Sequence, residues 1–227
     1  MLVASSWSGG KDSCFACYKA MQEGHRVGCL VNFISNQYKR VSFHGVPANL
    51  IAKQAECMGI PLLQRETTME NYEAEFKEAI NGLLKRGFEG VVFGDIYLQG
   101  HKDWVERVCS EIGVKAIEPL WGMATENVYR DFVKSAFQAI VVSAKSNLIG
   151  REWLGHSVDE EFLDYLKRTK IDLCGENGEY HTFTTDGPIF RKQIKIIEKK
   201  ITNHNDHWFV DILRFGSEEK STGVSSC

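Results

Sequence analysis

The chain has 227 residues, 27 basic against 30 acidic side chains, and a formal net charge of −3. That balance excludes a global electrostatic attraction to nucleic acid, and no apolar run approaches the ~20 residues needed to span a bilayer. With 43% hydrophobic and 25% charged residues, the composition is that of an ordinary globular protein, one that buries about 70% of its surface on folding.

Leu2–Trp7 reads as a strand, followed by a helix over Asp12–Glu23 that ends near Gly24. Val27–Ile34 is apolar, β-branched and bounded by turn residues, as a buried strand is. Pro47–Met58 is expected to be helical and to stop at Gly59, with a short strand over Ile60–Gln64. Glu70–Arg86 carries Tyr72, Phe76, Ile80, Leu83 and Leu84 on one face and stops at Gly87, the pattern of an amphipathic helix. Gly90–Gly94 reads as a buried strand, His101–Ile112 as a helix and Val114–Glu118 as a strand. Five βα steps in series imply a parallel sheet with helices on both faces.

The rhythm then changes. Asn127–Phe137 and Val158–Lys170 read as helices around an Ala139–Ala144 strand. From His181–Thr185 onward the period is two: an Asp186-Gly187-Pro188 turn, Ile189–Phe190, Lys192–Ile201 and Trp208–Phe215 make an antiparallel set. The expected division is 1–121 and 122–215, with a disordered Ser/Gly/Glu/Lys-rich tail over 216–227. Seven cysteines, odd in number and spread along the chain, read as reduced thiols of a cytoplasmic protein. A polar loop beginning at Ser8 leaves no room for a signal peptide.

The sharpest local feature is Ser8-Gly9-Gly10-Lys11-Asp12-Ser13, between the first strand and the first helix. Adjacent glycines, N–H groups at a helix start and the helix dipole make a phosphate cradle, with Lys11 adding a full charge. Asp12 suits such a site only if it holds Mg²⁺ or caps the helix. A Walker A loop ending at Lys11 needs Gly at position 5 and Ser/Thr at position 12, where Ser5 and Asp12 stand; G-x-G-x-x-G is absent. The loop resembles the PP-loop of ATP pyrophosphatases, which split ATP between its α and β phosphates.

Asp95 follows a buried strand at the edge where open α/β sheets bind ligands. It is a candidate for catalysis beside Lys11, with a turn cap as the plain alternative. Asn32 and Phe33 end the second strand, and with Gly94 they are candidates to approach the nucleotide. His44 is a candidate for the substrate side. Cys14 and Cys17 form a C-x-x-C among small helix residues, which reads as core packing. Arg191, Lys192, Lys195, Lys199 and Lys200 form a basic strip on an expected edge strand, read as a solvated edge.

Gly175-Glu176-Asn177-Gly178-Glu179-Tyr180-His181-Thr182, with Asp186-Gly187-Pro188-Ile189-Phe190, resembles the signature of the diphthine–ammonia ligase family; Gly94-Asp95-Ile96 and Glu118-Pro119-Leu120-Trp121 fit it too. Eukaryotic members read GEGGEYET where this chain reads GENGEYHT, as the archaeal and bacterial branch does. The resemblance covers residues 1–215. It implies an α/β fold, an adenine-nucleotide α-hydrolase-like (HUP) five-stranded parallel sheet with a smaller α+β domain. It also implies an amidation: ATP adenylates a carboxylate, that of diphthine on elongation factor 2 or a related acceptor. Pyrophosphate leaves, and ammonia, from ammonium, displaces AMP. Glu176, Asn177, Gly178, Glu179 and His181 would then bind the acceptor or ammonium, with both glutamates facing one cleft. Two other readings are a tRNA-modifying sulfurtransferase, which needs Cys174 as nucleophile, and a non-catalytic ATP or AMP sensor. A homodimer is the expected assembly.

Overall fold

A computed structural model of the chain describes residues 1–41 and 44–220. The first-half alternation forms β1 (Leu2–Ser6), α1 (Lys11–Gln22), β2 (Arg26–Ser35), α2 (Ala48–Met58), β3 (Leu62–Thr67), α3 (Tyr72–Leu84), β4 (Gly90–Val92), α4 (Gln99–Ile112) and β5 (Lys115–Ile117). The strands pair in parallel in the order β3-β2-β1-β4-β5. The chain therefore walks outward from β1 to β3, then crosses back through α3 to β4 on the other side of β1. The carboxyl ends of β1 and β4 flank this reversal, where open α/β sheets bind ligands. The central strands are apolar on both faces because helices cover both. Phe76, Ile80 and Leu83 of α3 and Val105 and Val108 of α4 form one cluster, and α1 and α2 belong to the other.

The second half forms α5 (Thr125–Lys134), β6 (Gln138–Lys145), α6 (Glu160–Thr169), β7 (Tyr180–Asp186), β8 (Lys192–His204) and β9 (His207–Glu219). Its antiparallel sheet runs β7-β6-β9-β8. The α1 cluster continues into it without a break. Phe15 of α1 meets Phe132 of α5 and Phe137 edge-on, with centroids 6.2 and 6.1 Å away, and those two rings stack at 4.9 Å. Cys14 and Cys17 are fully buried in this cluster, as packing residues are. None of the described helices is long and apolar enough to cross a membrane.

Two expectations are corrected. Ile189–Phe190 is not a strand: Gly187 N–H is tied to Asp186 Oδ1, and Phe190 N–H donates to Gly187 O, so the turn continues until Lys192. The expected tail 216–227 begins too early. Gly216–Glu219 completes β9, pairing with Lys192–Lys195, and Lys192–Glu219 and Lys195–Glu218 form ion pairs at 2.6 and 2.8 Å. Charges that read as a solvated tail are cross-strand partners; residues 221–227 lie outside the described residues. Of the basic strip, Lys192, Lys195, Lys199 and Lys200 fall on the edge strand β8, and Arg191 immediately precedes it.

Candidate functional site

The loop between β1 and α1 is shaped from three sides. From β2, Asn32 Nδ2 donates to Trp7 O (2.7 Å), while its Oδ1 accepts from Gln64 Nε2 (3.0 Å). From α2, the buried Gln54 accepts from Trp7 Nε1 (2.8 Å) and donates to Gly9 O (3.1 Å). From β7, Thr184 N–H donates to Gly9 O (2.9 Å), and Thr182 Oγ1 accepts from Lys11 N–H (2.9 Å). Gly9 has a φ of +83°, and a Cβ there would lie 2.5 Å from Ile51 Cδ1. The left-handed backbone and the packing beneath it both require glycine. A Cβ on Gly10 would lie 2.7 Å from His44 Cε1 and 3.1 Å from Thr182 O. The glycine pair therefore serves protein packing behind the loop, and neither glycine lines the cavity in front of it.

That cavity has a volume of about 570 Å³, within the range of small-ligand pockets. Ser8, Lys11, Asp12 and Ser13 line it, as do Asn32, Phe33, His44, Gly94, Asp95, Glu176 and His181. Gly94 is pressed onto the start of α1: a Cβ would come within 2.9 Å of Asp12 C and Ser13 N. Ser8 and Ser13 hydroxyls are 3.1 Å apart, and Ser13 Oγ donates to Gly10 O. Phe33, Tyr72 and Trp104 form an aromatic wall, with centroid distances of 5.0 and 5.8 Å.

Lys11 is 2% exposed. Its Nζ donates to Asp12 Oδ2 (2.9 Å) and Cys174 O and stands 5.2 Å over the Tyr180 ring. Burial pushes its pKa down, but the Asp12 charge outweighs this with help from Cys174 and Glu176, so the net direction is up and the ammonium is kept. Burial raises Asp12 against the pull of Lys11. Asp12 is no helix cap, since Gly10 occupies that position, and its buried Oδ1 has no hydrogen-bond partner. Glu176 is pushed up to about 7, first by burial and then by Asp12, against Lys11 and the Ile96 N–H that donates to its Oε2 (3.2 Å). Burial lowers His44 to about 4, overcoming the Thr182 carbonyl, with Lys11 acting in the same direction. The His44 and His181 rings lie 4.7 Å apart, and His181 too is driven down, by burial and then by His44. Asp95 pairs with His101 Nδ1 at 2.9 Å and raises that imidazole's pKa.

The expected cleft with two glutamates is not formed. Glu176 faces the cavity, whereas Glu179 is buried away from it and accepts from Asn177 N–H and Nδ2 (3.0 and 3.1 Å). Left-handed Gly175 and Gly178, with φ of +73° and +75°, turn the loop so that the two carboxylates diverge. Asn177 and Gly178 line an adjoining cavity instead. The sequence does not mark Thr182, Tyr72, Trp104 or His101 as site residues: Thr182 lies within a quoted motif and Tyr72 on the apolar face of a helix, while Trp104 and His101 carry no local signal.

A family model described as Diphthamide synthase N-terminal domain matches residues 1–116, and one described as Diphthamide synthase C-terminal domain matches residues 124–217. Curated relatives named diphthine–ammonia ligase include one from Danio rerio, 30% identical over 95% of this chain and 94% of the relative. One from Mus musculus is 29% identical over 99% and 95%. One from Schizosaccharomyces pombe is 30% identical over 90% of this chain, which spans 38% of that relative's length. A solved structure described as a "predicted subunit of tRNA methyltransferase" from Methanocaldococcus jannaschii aligns with 15% identity and a TM-score of 0.46, over 83% of this chain and 98% of the other.

Proposed function

The chain belongs to the diphthamide synthase family, and from that premise we propose that it is an ATP-dependent, AMP-forming carboxylate–ammonia ligase acting in the cytoplasm. Its acceptor is the diphthine carboxylate of elongation factor 2. The observation that carries the reading is the Ser8–Ser13 loop at the sheet reversal, with a charged Lys11 and a Glu176 whose pKa is raised to about 7 lining one cavity.

In this reading a carboxylate oxygen of the acceptor attacks the α-phosphorus of ATP, and the bond to the β-phosphate oxygen breaks. Lys11 neutralises charge at the phosphates, and the α1 N-terminus adds its dipole. Ammonium gives one proton to bulk water, ammonia attacks the acyl carbon, AMP leaves, and the Glu176 carboxylate accepts the second proton, shed by the nitrogen as the amide forms. A carboxylate with a pKa of about 7 is matched to that task. Asp12 Oδ1, buried and unpartnered, fits the Mg²⁺ that accompanies a triphosphate. Asn32, Phe33 and Gly94 border the nucleotide side. His44 and His181 border the acceptor side, and Asp95, held by His101, is the second catalytic candidate. Glu179 acts by positioning Asn177. The buried Cys174 thiol donates to Thr125 O, and burial pushes its pKa up, which disfavours a sulfur-transfer nucleophile.

The test is product analysis with ATP, Mg²⁺ and ammonium, with and without diphthine-bearing elongation factor 2. AMP and pyrophosphate that require both the factor and ammonium are expected, with a loss of about 10²–10³-fold in Lys11→Ala. ADP and phosphate would overturn the α–β cleavage, and ATP binding without turnover would favour a sensor.

A further inference from the structure

We infer that a second cavity, adjoining the first, is the docking groove for the polypeptide segment that carries the acceptor carboxylate; this rests on the ligase reading above. The groove has a volume of about 1110 Å³, above the ~300–1,000 Å³ usual for small-molecule sites. It shares Val41, Thr67, Met69 and His181 with the nucleotide cavity. The Gly175–Gly178 loop is the partition: Glu176 faces the nucleotide side, and Asn177 and Gly178 face the groove. A carboxylate brought along the groove reaches the cavity that Glu176 lines by way of the shared residues Val41, Thr67, Met69 and His181.

The lining fits the acceptor's carboxylate group. Asp211 is the one acid among the described lining residues, and it is spoken for by Arg40 at 3.0 Å and the Thr202 hydroxyl at 3.1 Å. Lys145 donates to a neutral acceptor, Asn177 O (2.9 Å), so its charge is not cancelled there, and His204 and His207 add ring N–H groups to the lining. The rim favours a polypeptide over a nucleic acid. Tyr38 and Met69, 63% and 83% exposed, border the groove, and Tyr97, 41% exposed, holds Asn177 Nδ2 through its hydroxyl (3.2 Å). Exposed aromatic and Met side chains beside cationic groups are the composition of a protein-binding surface.

The test is steady-state kinetics and direct binding on the full chain with diphthine-bearing elongation factor 2. The double variant Tyr38→Ala/His204→Glu alters exposed groove residues that do not line the nucleotide cavity. Its KM for the factor is expected to rise about tenfold or more at low salt, and the difference from wild type should shrink at higher ionic strength. Its ATP affinity and melting temperature should stay unchanged. Ile197→Ser, on the exposed β8 surface, is the control and should leave every constant unchanged. An unaltered KM in the double variant, with wild-type protein active on the factor, overturns the groove and leaves the ligase standing. Wild-type protein that cleaves ATP but neither binds nor amidates the factor overturns both. An affinity for an RNA oligonucleotide, lost in the double variant in place of affinity for the factor, overturns the polypeptide assignment.

Discussion

Replacing Glu176 by Gln should make the protein more stable and less active, and the size of the gain can be worked from the site. The carboxyl is moved from an ordinary 4.5 to about 7, at about 1.36 kcal/mol per pH unit. A raised acid binds its proton more tightly folded than unfolded. Its favourable contribution is therefore fully present below about 4.5 and is lost as pH rises to about 7. At pH 8 the folded chain carries the whole cost, about 3 kcal/mol, reduced to about 2 by solvent at the cavity opening. Gln keeps an oxygen to accept from Ile96 N–H and removes the charge. At about 2–4 °C per kcal/mol for a chain of this length, the variant should melt about 4–8 °C above wild type at pH 8. Thermal melts from pH 4 to 9 should show the gap opening between about 4.5 and 7 and staying flat above. In parallel, the limb of kcat/KM governed by a group near 7 should disappear. A gap that is absent, or the same at pH 4 and pH 8, would refute the burial argument and the role built on it.

Gly94→Ala should cost about 1–3 kcal/mol, because its Cβ would press on the Asp12 and Ser13 backbone at 2.9 Å. It should also depress ATP turnover; wild-type melting and KM together would show that the approach is not tight. Thr182→Val leaves the buried Lys11 N–H without its acceptor, a loss of about 1–3 kcal/mol. KM for ATP should rise, and Thr182→Ser should restore it. Cys174→Ser should keep turnover within about threefold, since its carbonyl, not its sulfur, holds Lys11; a loss of about a hundredfold would return sulfur transfer to consideration.

What was legible in the sequence is what depends on neighbours. Ser8–Ser13 could be read because a strand end, a glycine pair and a helix start are consecutive, and Asn32, Gly94 and Asp95 because ligands gather at carboxyl ends of parallel strands. The spacing of Glu176 and Glu179 suggests one shared cleft but carries no direction; two left-handed glycines send the carboxylates apart. His101 was invisible because its partner, Asp95, lies across the turn into α4, and no periodic pattern marks a hydrogen bond made between a strand end and a helix start. The charges of Gly216–Glu219 looked like a tail because their cancelling lysines lie more than twenty residues earlier in the chain.

The largest illegible element is the support of the loop itself. A glycine-rich loop read from sequence looks self-sufficient, as if its own backbone made the cradle. Here Lys11 N–H and Gly9 O are bonded to Thr182 and Thr184, Lys11 Nζ to Cys174 O, and Gly10 packs under His44, whose ring is bound to Thr182 O. Except for His44, these partners lie more than 160 residues away in sequence, on or just before β7. Gln54 ties the two sheets through one side chain, donating to both Gly9 O and Thr184 O. The apolar cluster beneath is continuous across them. A buried polar group that loses its partner costs more than the hydrogen bond gained. The loop geometry therefore exists only while β7 is docked, and the same strand follows directly from the Gly175–Gly178 partition of the two cavities. The loop that lines one cavity and the turn that separates the two are thereby both tied to one strand, β7.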